Sequence, residues 1–233
     1  MTVDQLRTEL FGSGHGDALG ETDVAGWLNA SRRFRAFVEE NLPKVHKKLR
    51  TASGPQATRD VLLELEVAYR LSSVKAHGLS YEPFGASGER GPDFAVAFNG
   101  RPWFLLEVTR STSGAGAPAE RMGRAVGAKL GQLRPEGPNV VLVGTEGPPP
   151  EEDDLAAALA GLAREAESAE PVHFMRLGLR DRRAFFQRYE RLSAVMVASF
   201  AATPGPVSTW FNQRARRQVA TRGLAALVRA LGE

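Results

Sequence analysis

Four charged side chains fall where the hydropathy pattern expects apolar ones, and together they could hold a metal ion. Between residues 56 and 77 the sequence repeats at about 100° per residue, the turn of an α-helix. Arg59, Glu66, Arg70, Ser73 and His77 share its polar sector, with Glu66 placed four residues before Arg70 as an exposed ion pair. Glu64 projects instead between Ala68 and Leu71, on the side of Leu65 and Val67. A carboxylate turned towards a core needs a cation or a donor to offset its desolvation. Downstream, Asp93, Ala95 and Ala97 alternate with Phe94, Val96 and Phe98, and Leu105, Glu107 and Thr109 alternate with Phe104, Leu106 and Val108. Asn99-Gly100 is a tight-hairpin signal, and pairing through it brings the far ends of the two strands together, so Asp93 and Glu107 become near neighbours if they face the same side. Two adjacent carboxylates repel unless they share a divalent cation or a proton. In a helical pattern over 119–133, Lys129 falls inside the apolar stripe of Met122, Ala125, Val126 and Leu133, and Gln132 borders it. A lysine aimed at the sheet complements such carboxylates.

Each residue also has a plainer reading. Asp93 follows Pro92 and could belong to a turn. Glu107 could be an exposed ion-pair partner at a strand end. Glu64 and Lys129 could carry their charged heads to the rim of their helices. The metal reading gains from convergence, because one topology aims all four at one place.

The elements that must position them follow from the same patterning. Residues 1–50 read as helical, with a Gly-rich interruption at Gly12–Gly20 and an apolar stripe (Leu28, Phe34, Phe37, Val38, Leu42) that Pro43 breaks. The helix Gln56–His77 closes at Gly78. Extended segments follow at Leu79–Phe84, Pro92–Phe98 and Pro102–Thr109, with loops at Gly85–Gly91 and Ser111–Pro118. After the helix Ala119–Leu133, the run Asn139–Gly144 has the continuous apolarity of a strand buried on both faces. A helix begins at Glu151–Asp154, Leu192–Phe200 reads as a further strand, and a basic helix runs from Asn212. The expected fold is α/β, a mixed sheet flanked by helices with helical additions at both ends. The expected organisation is an N-terminal helical segment (1–55), a core (56–200) and a C-terminal basic helical segment (201–233).

At 233 residues, with 42% hydrophobic and 24% charged residues, the composition is that of a soluble globular protein. No apolar run approaches the roughly 20 residues that cross a bilayer, and the polar start is unlike a signal peptide. Without cysteine there is neither a disulfide framework nor a thiolate metal site, and a cytoplasmic location is expected. The net charge of +3 is too small to demand a polyanionic partner. Basic residues nevertheless gather in Ser31–Arg50, Arg176–Arg191 and Arg214–Arg229, either as solvated helix faces or as a nucleic-acid surface. The histidines (15, 46, 77 and 173) have no metal-ligand spacing, and Trp103, Trp210 and Phe211 read as core. The stretch Ser111–Gly116 lacks the lysine and spacing of a phosphate-binding loop.

Gly91-Pro92-Asp93 followed by Leu105-Leu106-Glu107-Val108-Thr109 resembles the motif of the PD-(D/E)XK nuclease superfamily, and the helix–three-strand–helix–strand order is similar to its core. The resemblance covers roughly Gln56 to Thr145. It implies a restriction-endonuclease-like core (α-β-β-β-α-β) and a nuclease dependent on Mg²⁺ or Mn²⁺. Asp93, Glu107 and the Val108 carbonyl would hold the metal, joined by Glu64. The superfamily's lysine is here Thr109, and Lys129 on the following helix would replace it, with Gln132 as the helical glutamine of some members. Nucleic acid, DNA above all, would be the partner, with no membrane, and cleavage of both strands of a duplex would favour a homodimer. Two other readings remain open: a binding or assembly module that keeps the fold without turnover, and an interaction protein acting through its helical ends.

Overall fold

The computed structural model describes residues 1–12, 20–75, 77–85, 90–111, 117–200 and 205–232. The Gly-rich loops expected near residues 12–20, 85–91 and 111–118 fall largely outside them, as does His15. The described chain begins with α1 (Val3–Phe11), α2 (Glu21–Ala30), α3 (Arg32–Thr51) and α4 (Pro55–Ser73). Then come β1 (His77–Tyr81), β2 (Phe94–Phe98), β3 (Arg101–Arg110), α5 (Pro118–Lys129) with a 3₁₀ turn at Leu130–Gln132, and β4 (Asn139–Thr145). The remainder is α6 (Glu152–Ser168), α7 (Pro171–Arg176), α8 (Arg182–Tyr189), β5 (Leu192–Ser199), β6 (Val207–Phe211) and α9 (Thr221–Gly232). The strands form one six-stranded sheet in sequential order, mixed because β3, β4 and β5 run parallel while the other pairs are antiparallel.

Strand alternation divides the core in two. Phe94, Val96, Phe104, Leu106, Leu142 and Met196 pack under α1–α4 and α9, whereas Val141, Val143, Val195 and Val197 pack under α5, α6 and α8. Among the described residues no helix is long and apolar enough to cross a membrane.

Three elements depart from the sequence reading. Pro43 does not break the first long helix: α3 runs through it, anchored by Ser31 Oγ accepting from Phe34 N at 3.1 Å. Pro43 and Glu39, whose carbonyl loses its N–H partner, are both exposed, so water can satisfy that carbonyl. Burial of Phe34, Phe37, Val38 and Val45 on one face carries the helix past it. The second correction concerns α4, which ends at Ser73; His77 is not on its polar face but opens β1, buried against Phe98 and Trp103. Third, the stretch after residue 200 supplies β6, paired with β5, and turns helical only at Thr221.

The hairpin forms as its turn residues require. Asn99 and Gly100 have φ of 48° and 75°, the left-handed pair of a two-residue turn. The ladder then shifts register between Val96 and Ala97, pairing Val96 with Phe104 but Ala97 with Pro102. This bulge has a consequence for the chemistry. Continued from the turn without it, the pairing would set Asp93 opposite Leu106, on the face away from Glu107. With it, Phe94 pairs with Leu106, and the next position along places Asp93 beside Glu107.

Candidate functional site

β2 begins only at Phe94, so β3 continues past it with its backbone free on that side, and Asp93 sits in the notch. Asp93 Oδ2 accepts from Val108 N at 2.8 Å, taking the place of the absent strand partner. Its own carbonyl accepts from Glu82 N at 2.7 Å. Glu107, fully buried, pairs in the parallel ladder with Val141 and shares the face covered by α5. From α5, Lys129 Nζ reaches Glu107 Oε1 at 2.6 Å. That contact is an ion pair without good hydrogen-bond alignment, and neither Glu107 oxygen accepts an aligned hydrogen bond.

From the opposite layer comes Glu64 on α4. The helix sits close to the sheet at Gly144, where a Cβ would lie 2.9 Å from Leu63. Glu64 Oε2 accepts from Tyr81 Oη at 2.6 Å and from Lys48 Nζ at 2.8 Å. Lys48, on the last turns of α3, also lies 3.1 Å from Glu82 Oε1, 3.6 Å from Asp93 Oδ1 and 4.9 Å above the Tyr81 ring. The site is thus four carboxylates around two ammonium groups: Glu64, Glu82 and Asp93 about Lys48, and Glu107 on Lys129. A cleft of about 340 Å³ opens onto it, lined by Lys48, Glu82, Phe84, Arg90, Asp93 and Gln132.

Burial dominates the electrostatics. It raises the Glu107 carboxyl, and the Asp93 charge adds to this, to about 8 despite the pull of Lys129. Burial and Asp93 likewise raise Glu64 to about 7, against Lys48 and Tyr81. Burial alone would lower Lys48, but Glu64, Tyr81 and Asp93 together push it well above the ordinary lysine value. Lys129 goes the same way: burial is outweighed by Glu107 and Asp93, so it is held as an ammonium. Tyr81 is raised by burial and by Glu64, and stays a neutral donor.

Of the residues singled out in the sequence, the structure gathers Asp93, Glu107, Glu64 and Lys129 at one notch, and puts Gln132 on its cleft. Val108 contributes its N–H to Asp93. Half-buried Thr109 lies one pleat beyond Glu107, opposite Val143. Glu66 pairs with Arg70 as expected, and Trp210 and Phe211 pack onto the two core layers. Lys48, Tyr81 and Glu82 were not anticipated. For Lys48 the expected helix break at Pro43 hid the signal; the stripe actually continues to Val45 and Leu49, which places Lys48 on a core-side flank.

The basic run Ser31–Arg50 is mostly committed to the fold. Arg33 donates to the carbonyls of Ser72, Lys75 and His77, Arg35 to Leu28 and Lys44 to Tyr81.

The donor set is one of hard oxygens. Among the described residues no three acidic or histidine side chains form a ready-made metal cage. Mg²⁺ does not require one, since it is commonly held by one or two carboxylates with water completing its shell. The buried Glu107 oxygens without aligned donors, next to Asp93, fit that demand. No protein-family model, curated protein or solved structure matches the chain.

Proposed function

We propose that this protein is a Mg²⁺-dependent nuclease that hydrolyses phosphodiester bonds at the Asp93–Glu107 notch, with DNA as substrate. The observation that carries the reading is Glu107. A carboxylate with no exposure, placed against a second carboxylate and still raised to about 8 with the Lys129 ammonium beside it, is costly unless a further cation joins the pair. The order α4-β1-β2-β3-α5-β4, with a hairpin and then a parallel crossover, supports the resemblance to the PD-(D/E)XK superfamily and its restriction-endonuclease-like core.

Asp93 and Glu107 would hold the ion with the Val108 carbonyl, and Glu64 would complete the set. The bound ion would supply Lewis-acid polarisation of the scissile phosphate and activation of water. Lys129, fixed on Glu107 as an ammonium, can donate but cannot accept a proton near neutral pH. Its role is therefore to orient the attacking water and stabilise developing negative charge, not to act as a base. Gln132 and Lys48 line the cleft where the phosphate would enter and can donate to its oxygens.

A second reading has its own observation. Lys48 and Lys129 already neutralise much of the acidic charge, and Thr109 stands where the superfamily has its lysine, so a binding module without turnover would satisfy the same contacts. An interaction protein acting through its helical ends has less support: the large exposed apolar residues among those described are Met1 and, on α7, Val172 and Met175, with none on α2–α4. Incubation of plasmid, linear duplex and single-stranded DNA with Mg²⁺ or Mn²⁺ separates the readings. The nuclease reading expects cleavage by the wild type that EDTA, Asp93→Ala and Lys129→Ala each abolish. Cleavage that survives Asp93→Ala refutes the site. Metal binding without cleavage by the wild type supports the module instead.

A further inference from the structure

Arginines from distant parts of the chain converge beside the cleft, at the end of the sheet where β4 and β5 begin. Arg188, closing α8, and Arg191 both donate to the Leu133 carbonyl, at 2.9 and 3.1 Å, so their guanidinium groups lie side by side. Asn139, the first residue of β4, ties the turn carrying Arg134 to this pair: its amide donates to the carbonyls of Arg134 and Arg191, and its oxygen accepts from Arg134 N. Arg216 and Arg217 follow β6 and are exposed, with Arg216 N donating to the Glu190 carbonyl at 2.8 Å. Burial and the charges of Arg188, Arg216 and Arg134 push Arg191 below the ordinary arginine value, against the pull of Glu136; the positive charges are close enough to repel.

Among the described residues, Glu136 pairs with Arg134 and Glu190 with Arg216, and the five arginines outnumber these two glutamates. Clustered like charges cost stability, so the concentration calls for an external anion. The cluster is also continuous with the cleft. The Arg134 guanidinium lies 4.6 Å over the Phe84 ring, and Phe84 lines the cleft together with Asp93 and Gln132.

We propose that the guanidinium row Arg134–Arg188–Arg191–Arg216–Arg217 is a track for the sugar–phosphate backbone of a polynucleotide, leading the strand into the Asp93–Glu107 notch. The proposal rests on the nuclease reading for its direction, but not for the binding itself. Planar guanidinium forks match phosphate oxygens, and a row of them fits a chain of phosphates better than a single one. Such contacts fix position and read no sequence. Arg188 and Arg191 also hold the fold together, whereas Arg216 and Arg217 present exposed heads and carry the test.

The measurement is fluorescence anisotropy of a labelled 20-base-pair DNA duplex, and of its single strand, in EDTA over a range of salt concentrations. The Arg216→Gln/Arg217→Gln double variant is expected to bind about tenfold more weakly at low salt, with a slope of log affinity against log salt shallower by about 2, whatever the sequence. A control variant, Arg32→Gln/Lys47→Gln, removes two exposed charges from α3 and is expected to bind like the wild type. Equal affinity and slope in the arginine variant overturn the track, as does an equal loss in the control, which would make net charge the cause. If the wild type binds DNA through these arginines yet never cleaves it with Mg²⁺, the track stands and the nuclease reading falls.

Discussion

Glu107→Gln removes the buried charge at almost constant volume and isolates the energetic claim on which the site depends. In the folded protein the Glu107 carboxyl is raised to about 8, against 4.5 when it is unburied. The folded state therefore holds this proton over a range where the unfolded chain releases it. For this group, folding stability is greatest below about pH 4.5 and is lost as pH rises through about 8, the reverse of an ordinary ion-paired carboxylate. At about 1.36 kcal/mol per pH unit, allowing for partial titration at each end, the loss between pH 5 and pH 8 is roughly 3–4 kcal/mol. The variant lacks it. Lys129 in the variant keeps the Asp93 and Glu64 charges that also raise it. Glu64 is present in both proteins, so its own titration largely cancels in the difference. Urea denaturation in EDTA at pH 5, 6, 7 and 8 should show wild-type stability falling relative to the variant by that amount. Added Mg²⁺ should then stabilise the wild type more at pH 8 than at pH 6, because the ion needs the ionised carboxylate, and should do little for the variant. Parallel stability curves for the two proteins would refute the claim that Lys129 leaves part of the Glu107 desolvation cost uncompensated.

Other perturbations test neighbouring contacts. Lys129→Met leaves Glu107 without its cation and should push its carboxyl further up, so the wild type gains on the variant only as pH rises above about 8, by up to about 1.4 kcal/mol per pH unit; urea titrations at pH 7 and pH 9 measure the contrast. Lys48→Met withdraws the ammonium that competes for Asp93 and Glu64, so Mn²⁺ followed by electron paramagnetic resonance should bind about tenfold or more tightly than to the wild type. Asn139→Ala cuts the bonds that join the Arg134 turn to Arg191 and should cost about 3 kcal/mol in chemical denaturation, weakening DNA binding by the arginine track as well.

How much of this was legible in the sequence depends on how local the determinants are. The hairpin was readable because Asn99-Gly100 dictates its own backbone conformation. The buried strand at Asn139 was readable because an unbroken apolar run has few alternatives. Alternation found the identity of the acidic pair, but not what places it on one face. That depends on the bulge at Trp103, opposite Val96 and Ala97, where one extra residue reverses the facing of everything beyond it, and no residue type announces it. β6 was missed because Val207–Phe211 is a short, half-buried edge strand whose only cue is its partner β5. The end of α4 was placed too late because Val74–His77 continues the helical spacing; what decides it is His77 pairing with Phe98 at the start of β1.

Lys48 brings the local and the long-range together. Its position follows from α3 running through Pro43, which in turn follows from burial of Phe34, Phe37, Val38 and Val45 against the rest of the layer. Its ammonium then meets Glu64 from α4, Glu82 from the turn after β1 and Asp93 from the start of β2, side chains far apart in the chain. Three carboxylates around one ammonium leave an excess of negative charge, and Glu107 with Lys129 adds a pair that only balances itself. The region is therefore most cheaply completed by a further positive charge, and the raised Glu64 and Glu107 carboxyls mark the same deficit as retained protons. A proton and a divalent ion answer it differently: the proton leaves as pH rises, and the ion binds better as it does. A site built this way should couple metal uptake to proton release, and its opposing response to pH distinguishes it from a set of ordinary structural salt bridges.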